Sequence, residues 1–228
     1  MKKAPLASCF ALVGLVVMNQ FEQGADPAHP DQPSVAPAEA ISKLKEGNGR
    51  YTSGNLQHPA QTTARRTELA KTQHPFAVIV SCSDSRVPPE IVFDQGLGDL
   101  FICRVAGNIV NDESLGSIEY AVDHLGSRLI LVLGHQRCGA VEAAKQTIAA
   151  KGTAPGHIES LVTAIKPAVD STVSGDLDAT IKANVKHVVD SLRSSTPILK
   201  AKVDSGGVQV IGGYYSLDTG AVTLLDEK

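Results

Sequence analysis

The stretch FAVIVSC, Phe76 to Cys82, is a nearly unbroken apolar run that ends on a thiol. Two further runs share its character, DLFICRVAG over 99–107 and RLILVLGH over 128–135. None of the three alternates apolar with polar, which is how strands covered on both faces read. Helical patterns separate them. In SLGSIEYAVDHLG, Leu115, Ile118, Val122 and Leu125 form one stripe ahead of Gly126, a C-terminal stop. CGAVEAAKQTIAAKG is alanine-rich and ends at Gly152, and LDATIKANVKHVVDSL sets Leu177, Ile181, Val185, Val188 and Leu192 on one face. Strands alternating with helices predict an α/β fold, a mostly parallel central sheet flanked by helices with right-handed crossovers. VQVIGGYYSLDTGAVTLL adds a C-terminal β-hairpin around Asp218-Thr219-Gly220. At the other end, AEAISKLKEGNGRYTSG predicts an N-terminal helical arm, short and amphipathic, stopping at Gly47 to Gly49; the polar segment near 60–72 predicts a second helix.

A chain of 228 residues with 43% hydrophobic and 20% charged content has the size and balance of one globular domain. Its net charge is only -3, and no basic stripe interleaved with aromatics is present, which argues against nucleic acid as a partner. GLGDLF at 96–101 lacks the third glycine and the strand-to-helix setting of a dinucleotide site. The N-terminus differs from the rest. Lys2 and Lys3 precede an apolar stretch from Phe10 to Met18, too short for the roughly 20 residues of a membrane span. Residues 1–25 therefore read as a signal peptide and 26–37 as a flexible linker, with a single catalytic domain over 38–228 and no membrane-spanning segment in the mature chain. The expected location is periplasmic or secreted. Removal of Cys9 with the signal leaves Cys82, Cys103 and Cys138, an odd number that suits a metal site and a spare thiol better than a disulfide framework.

In open parallel sheets ligands collect beyond the carboxyl ends of the strands. Cys82 ends the first run, His135 ends the third, and Cys138 follows at the start of a helix within GHQRCGAV. Two thiolates and an imidazole suit zinc, and three protein ligands leave a fourth tetrahedral position open. A Cys82–Cys138 disulfide is the alternative, and it leaves His135 without a role. Cys103 lies inside its run and is expected to be a buried structural thiol. Asp84 and Arg86, in CSDSR, admit two uses. They form a loop ion pair ahead of Pro88-Pro89, or Arg86 holds the Asp84 carboxylate bidentately so that it orients a water on the metal. A carboxylate free to rotate would instead close the metal as a fourth ligand.

CSDSR followed by GHQRCGAV resembles the β-class carbonic anhydrases, as do GNGRYTSG, GDLFICRVAGNIV and GSIEYAV between and before them. The likeness runs from about Ala38 to the C-terminus. It implies one Zn2+ per subunit on Cys82, His135 and Cys138, with Asp84 and Arg86 as the catalytic dyad. It also implies reversible hydration of carbon dioxide to bicarbonate and a proton, by attack of zinc-bound hydroxide. Gln73, Phe101 and Tyr120 match the substrate-pocket residues of the plant-like variant, whereas the tryptophan of the bicarbonate-regulated variant is replaced by Ile79 in a chain with no Trp. Members of the family are dimers or higher, so a homodimer or a higher even-numbered homo-oligomer is expected. Tyr120 points away from the apolar stripe of its helix, toward solvent or a second subunit. No histidine is assigned as a proton shuttle. The rivals are a related zinc enzyme acting on carbonyl sulfide or carbon disulfide, and a non-catalytic zinc-binding protein of the same fold.

Overall fold

The computed structural model describes residues 34–225. The signal segment and most of the linker expected from the sequence lie outside the described residues. Five strands, β1 (Ala77–Ser81), β2 (Leu100–Arg104), β3 (Leu129–His135), β4 (Gln209–Tyr215) and β5 (Val222–Leu224), form one sheet in the order β2-β1-β3-β4-β5. Strands β1 to β4 are mutually parallel, and β5 returns antiparallel to β4 as the expected hairpin. Helices α1 (Pro37–Ser53), α2 (Thr63–Leu69), α3 (Pro89–Val92), α4 (Asp112–Asp123), α5 (Gly139–Ala149), α6 (Ile158–Ser171), α7 (Leu177–Ser194) and α8 (Ile198–Asp204) surround it.

The continuous apolar runs divide between two cores because successive strand residues point to opposite faces. Val78, Val80, Ile130, Val132 and Val210 face Ile118, Val185, Val189, Leu192 and Leu199 of α4, α7 and α8. Ala77, Ile79, Leu129, Leu131, Leu133 and Ile211 face Ala40 and Leu44 of α1 and Val92 and Phe93 beside α3. A third cluster gathers Cys82, Cys138, Val141, Ile165 and Ile181 where α5, α6 and α7 meet the carboxyl ends of the strands.

Strands β1 and β3 are buried at every position, as their composition predicts, but β2 is not. It is an edge strand, and four of its five residues are only partly covered. An apolar run shows that a strand is short of polar residues; it does not show which neighbour is missing. The expected stop of α1 at Gly47 to Gly49 also requires correction, since the helix continues to Ser53. A Cβ at Gly47 would lie 1.8 Å from the Phe93 carbonyl oxygen, so this glycine allows helix and loop to touch. The actual stop is Gly54, with φ +73° and an N–H that reaches back to the last turn. Helix α6 carries no counterpart in the sequence reading, for Pro167 interrupts a pattern in which Val162, Ile165 and Val169 are nonetheless buried on one face.

Candidate metal centre

The parallel sheet brings the two separated motifs to one place. β1 and β3 are adjacent, with Ser81 in register with Leu133, so Cys82 leaves its strand beside the end of β3. There His135 is the last strand residue and Cys138 is the N-cap of α5. The candidate ligand atoms of Cys82, His135 and Cys138 all lie within 4.8 Å of one another, the one such group found among the described residues. All three residues are buried and both cysteines are free thiols, so the disulfide alternative is not what the chain adopts.

The donor set fits zinc in its protonation as well as its type. His135 Nδ1 is 2.9 Å from the Gln136 carbonyl oxygen. A carbonyl only accepts, so Nδ1 carries the proton and Nε2 presents its lone pair. That Nε2 is buried and has no hydrogen-bond partner among the described residues, an orphan that a metal ion would satisfy. The facing Cys138 thiol is the main cause that lowers the Cys82 thiol to about 4, and Cys138 is correspondingly pushed up. Thiols bind a metal as thiolates, so metal binding at this pair would release protons.

Asp84 lies beside this trio. Arg86 donates to Asp84 Oδ1 from Nε at 2.9 Å and to Oδ2 from Nη2 at 2.7 Å, and its backbone N–H adds a third bond at 2.9 Å. The clamp holds the carboxyl near a pKa of about 2. Asp84 Oδ2 is 3.8 Å from His135 Nε2, close enough to face the trio while remaining on the arginine. Asp84 is thus paired with Arg86.

Several supporting groups carried no signal of their own. Arg104, at the end of an apolar run, donates to the Cys82 carbonyl at 2.8 Å and to the Asp84 carbonyl at 2.5 Å, bracing both functional residues from β2. Gln136 and Arg137, the spacer between His135 and Cys138, are gripped by the β4–β5 turn: Gln136 Nε2 reaches Asp218 at 2.9 Å, and Arg137 binds the same carboxylate through two nitrogens. The fixed two-residue spacer and the hairpin turn are visible in sequence, but only the fold shows that one holds the other.

The remaining predicted residues are not gathered here. Gln73 precedes β1 at its amino end, and the strand itself spans roughly 15 Å at about 3.3 Å per residue. Gln73 and Tyr120 line one groove with Leu97 and Leu125. Phe101, paired with Val78 near the start of β1, lines a second groove with Cys103, Arg104 and Ser114. Neither groove contains a metal-ligand candidate. Tyr120 is 41% exposed, as its position off the apolar stripe requires, and its ring lies beside that of His124, with centroids 5.1 Å apart and planes tilted by 33°. Cys103 is a buried thiol pushed up to about 11 by burial alone, as expected of a structural cysteine.

Residues 77–222 match the family profile described as carbonic anhydrase. Over 198 residues the chain is 41% identical to carbonic anhydrase 2 of Mycobacterium tuberculosis, covering 85% of this chain and 95% of that protein. It is 37% identical over 195 residues to the carbonic anhydrase of Mycolicibacterium smegmatis, covering 84% and 95%. Among solved structures, a β-carbonic anhydrase of Coccomyxa in complex with acetazolamide superposes with TM-score 0.64 at 27% identity, covering 82% of this chain and 86% of that one. The fold also matches tetrameric β-carbonic anhydrases of Sordaria macrospora, with TM-score 0.65 at 24% identity over 82% of this chain and 95% of that one.

Proposed function

The chain belongs to the β-class carbonic anhydrases, and from that premise we propose that it catalyses the reversible hydration of carbon dioxide to bicarbonate and a proton, with one zinc ion per subunit on Cys82, His135 and Cys138. The observation that carries this reading is the buried trio with a clamped carboxylate beside it. Zinc supplies Lewis acidity that makes a water nucleophilic near neutral pH, less strongly beside two thiolates than in an all-imidazole site.

Asp84 orients that water by accepting its hydrogen. Because Arg86 holds the carboxyl near 2, Asp84 stays ionised through the working range and serves as an acceptor of fixed direction rather than a proton store. Arg86 has a second role, restraining Asp84 from reaching the metal itself. Gln73, Phe101 and Tyr120 are proposed to bind carbon dioxide, with Phe101 supplying apolar contact and Gln73 a hydrogen bond to a substrate oxygen. In one chain they line grooves that contain none of the trio, which supports a reading in which a second copy delivers them, in a homodimer or a higher even-numbered assembly. Half-exposed β2 and the outward face of α4 suit such a contact. Export to the periplasm or beyond, argued from Lys2, Lys3 and the apolar stretch behind them, completes the proposal.

Hydration rates measured across pH on protein of known zinc content test the site. Activity is expected to rise toward alkaline pH, and a rate that peaks in acid overturns the two-thiolate assignment.

A further inference from the structure

We infer that Asn184, within α7, is a positioning residue for the Cys82 sulfur, acting through Gly107. The Gly107 N–H donates to Cys82 Sγ at 3.2 Å, and the Gly107 carbonyl accepts from Asn184 Nδ2 at 2.7 Å. One residue thus links α7 to a candidate metal ligand that no side chain of α7 is needed to touch.

Gly107 has φ +71°, a backbone conformation that L side chains rarely adopt, so a substitution there is strained. The same freedom means that nothing in Gly107 itself keeps its N–H aimed at sulfur. Asn184 pins the residue from its other side. The setting of Asn184 points to the same role. It is fully buried in a helix whose other buried residues include Ile181, Val185, Val188, Val189 and Leu192. Its Oδ1 has no hydrogen-bond partner among the described residues. An unpartnered buried acceptor costs more than one ordinary hydrogen bond returns, so for packing alone an apolar residue of the same shape would serve α7 better. What Asn184 adds is control of the Gly107 N–H.

An N–H donated to a thiolate draws charge from the sulfur and fixes its direction, which tunes how strongly it binds a metal. The inference rests on the trio holding a metal, and the experiment separates the two. The full chain is loaded with cobalt(II), and its thiolate-to-metal charge-transfer band and its zinc affinity against a chelator are measured for wild type, Asn184→Leu and Val189→Ala. Asn184→Leu, which keeps the shape and removes the donor, is expected to move the band to longer wavelength and to weaken zinc binding about 10-fold. Val189→Ala is expected to lower the unfolding midpoint and leave the band in place. A wild-type band that Asn184→Leu leaves unmoved, with unchanged zinc affinity, overturns the relay alone. A wild-type chain that takes up no cobalt overturns the metal assignment and the relay with it. Should Asn184→Leu fail to fold, wild-type protein loaded with cadmium-113 supplies the test. Scalar coupling from the Gly107 amide proton to cadmium, and from the Asn184 side-chain nitrogen to the Gly107 carbonyl carbon, is expected; loss of either coupling overturns the relay.

Discussion

The two ends of the sheet are built differently. At the carboxyl end, Cys82, His135 and Cys138 are buried and braced by their own chain: Arg104 from β2, Gly107 from the following turn, and Asp218 from the hairpin. Near the amino end, Gln73 and Tyr120 sit on an open groove, and Tyr120 is 41% exposed. A metal site needs ligands fixed to a fraction of an ångström, which a single folded chain provides. A pocket for a small neutral molecule needs little more than an apolar wall and one donor, which a neighbouring subunit can supply. Under the proposed function, this contrast corresponds to metal chemistry within one copy and substrate contacts between copies.

The largest effect expected to break this contrast is at the ligands. Cys82→Ser should abolish stoichiometric zinc and reduce hydration by more than the roughly 100-fold upper range of a second-shell loss; full zinc and full rate in that variant would remove Cys82 from the ligand set. Asp84→Asn should keep its zinc, measured by metal analysis, while hydration falls on the order of 100-fold, the scale of losing one positioned polar contact to the reacting centre. A mixed oligomer sharpens the division directly. Gln73→Ala and Cys82→Ser are each expected to be impaired alone, yet co-assembled subunits should regain activity, because one of their sites pairs intact ligands from one copy with intact Gln73 from the other. Absence of any regain would mean that Gln73 serves its own chain.

How far the residues announced this arrangement depends on what each one's chemistry exposes to a linear reading. Cys82, His135 and Cys138 were legible because strand ends punctuate apolar runs, and ligands in parallel sheets collect there. The strands were legible as continuous apolar runs, and α7 by its helical periodicity. Arg104 and Asn184 were not, for a charged residue after an apolar run, or one amide within an apolar stripe, has many uses until the fold shows what it reaches. Gly47 misled for a related reason: a glycine that permits close contact with Phe93 looks, in sequence, like one that ends a helix. The edge position of β2 was hidden because composition records what a strand avoids, not what covers it.

Away from the site, a second Asp–Arg pair offers a control. Asp94 is almost wholly buried and accepts from Arg50 Nε at 2.5 Å and from the backbone N–H groups of Gln57 and His58, each at 3.0 Å. Burial works against its charge, and these donors outweigh it, so the carboxyl is lowered. Its folded pKa lies below its unfolded value, near 3.9, so its stabilisation is complete above that value and is lost as pH falls through the folded pKa. Asp94→Asn should cost about 2 kcal/mol at neutral pH by denaturant unfolding, with the difference from wild type shrinking in acid; a difference that grew in acid would contradict the sign. Smallest of all, Cys103→Ser should leave zinc content and hydration near wild type and alter only stability, since among the described residues its thiol belongs to no metal-capable group.

Stopped-flow carbon dioxide hydration on wild-type protein with zinc quantified in the same sample tests the central claim most directly. One zinc per chain with hydration well above the uncatalysed rate is the predicted result. Stoichiometric zinc on an intact fold with no hydration above background would contradict it.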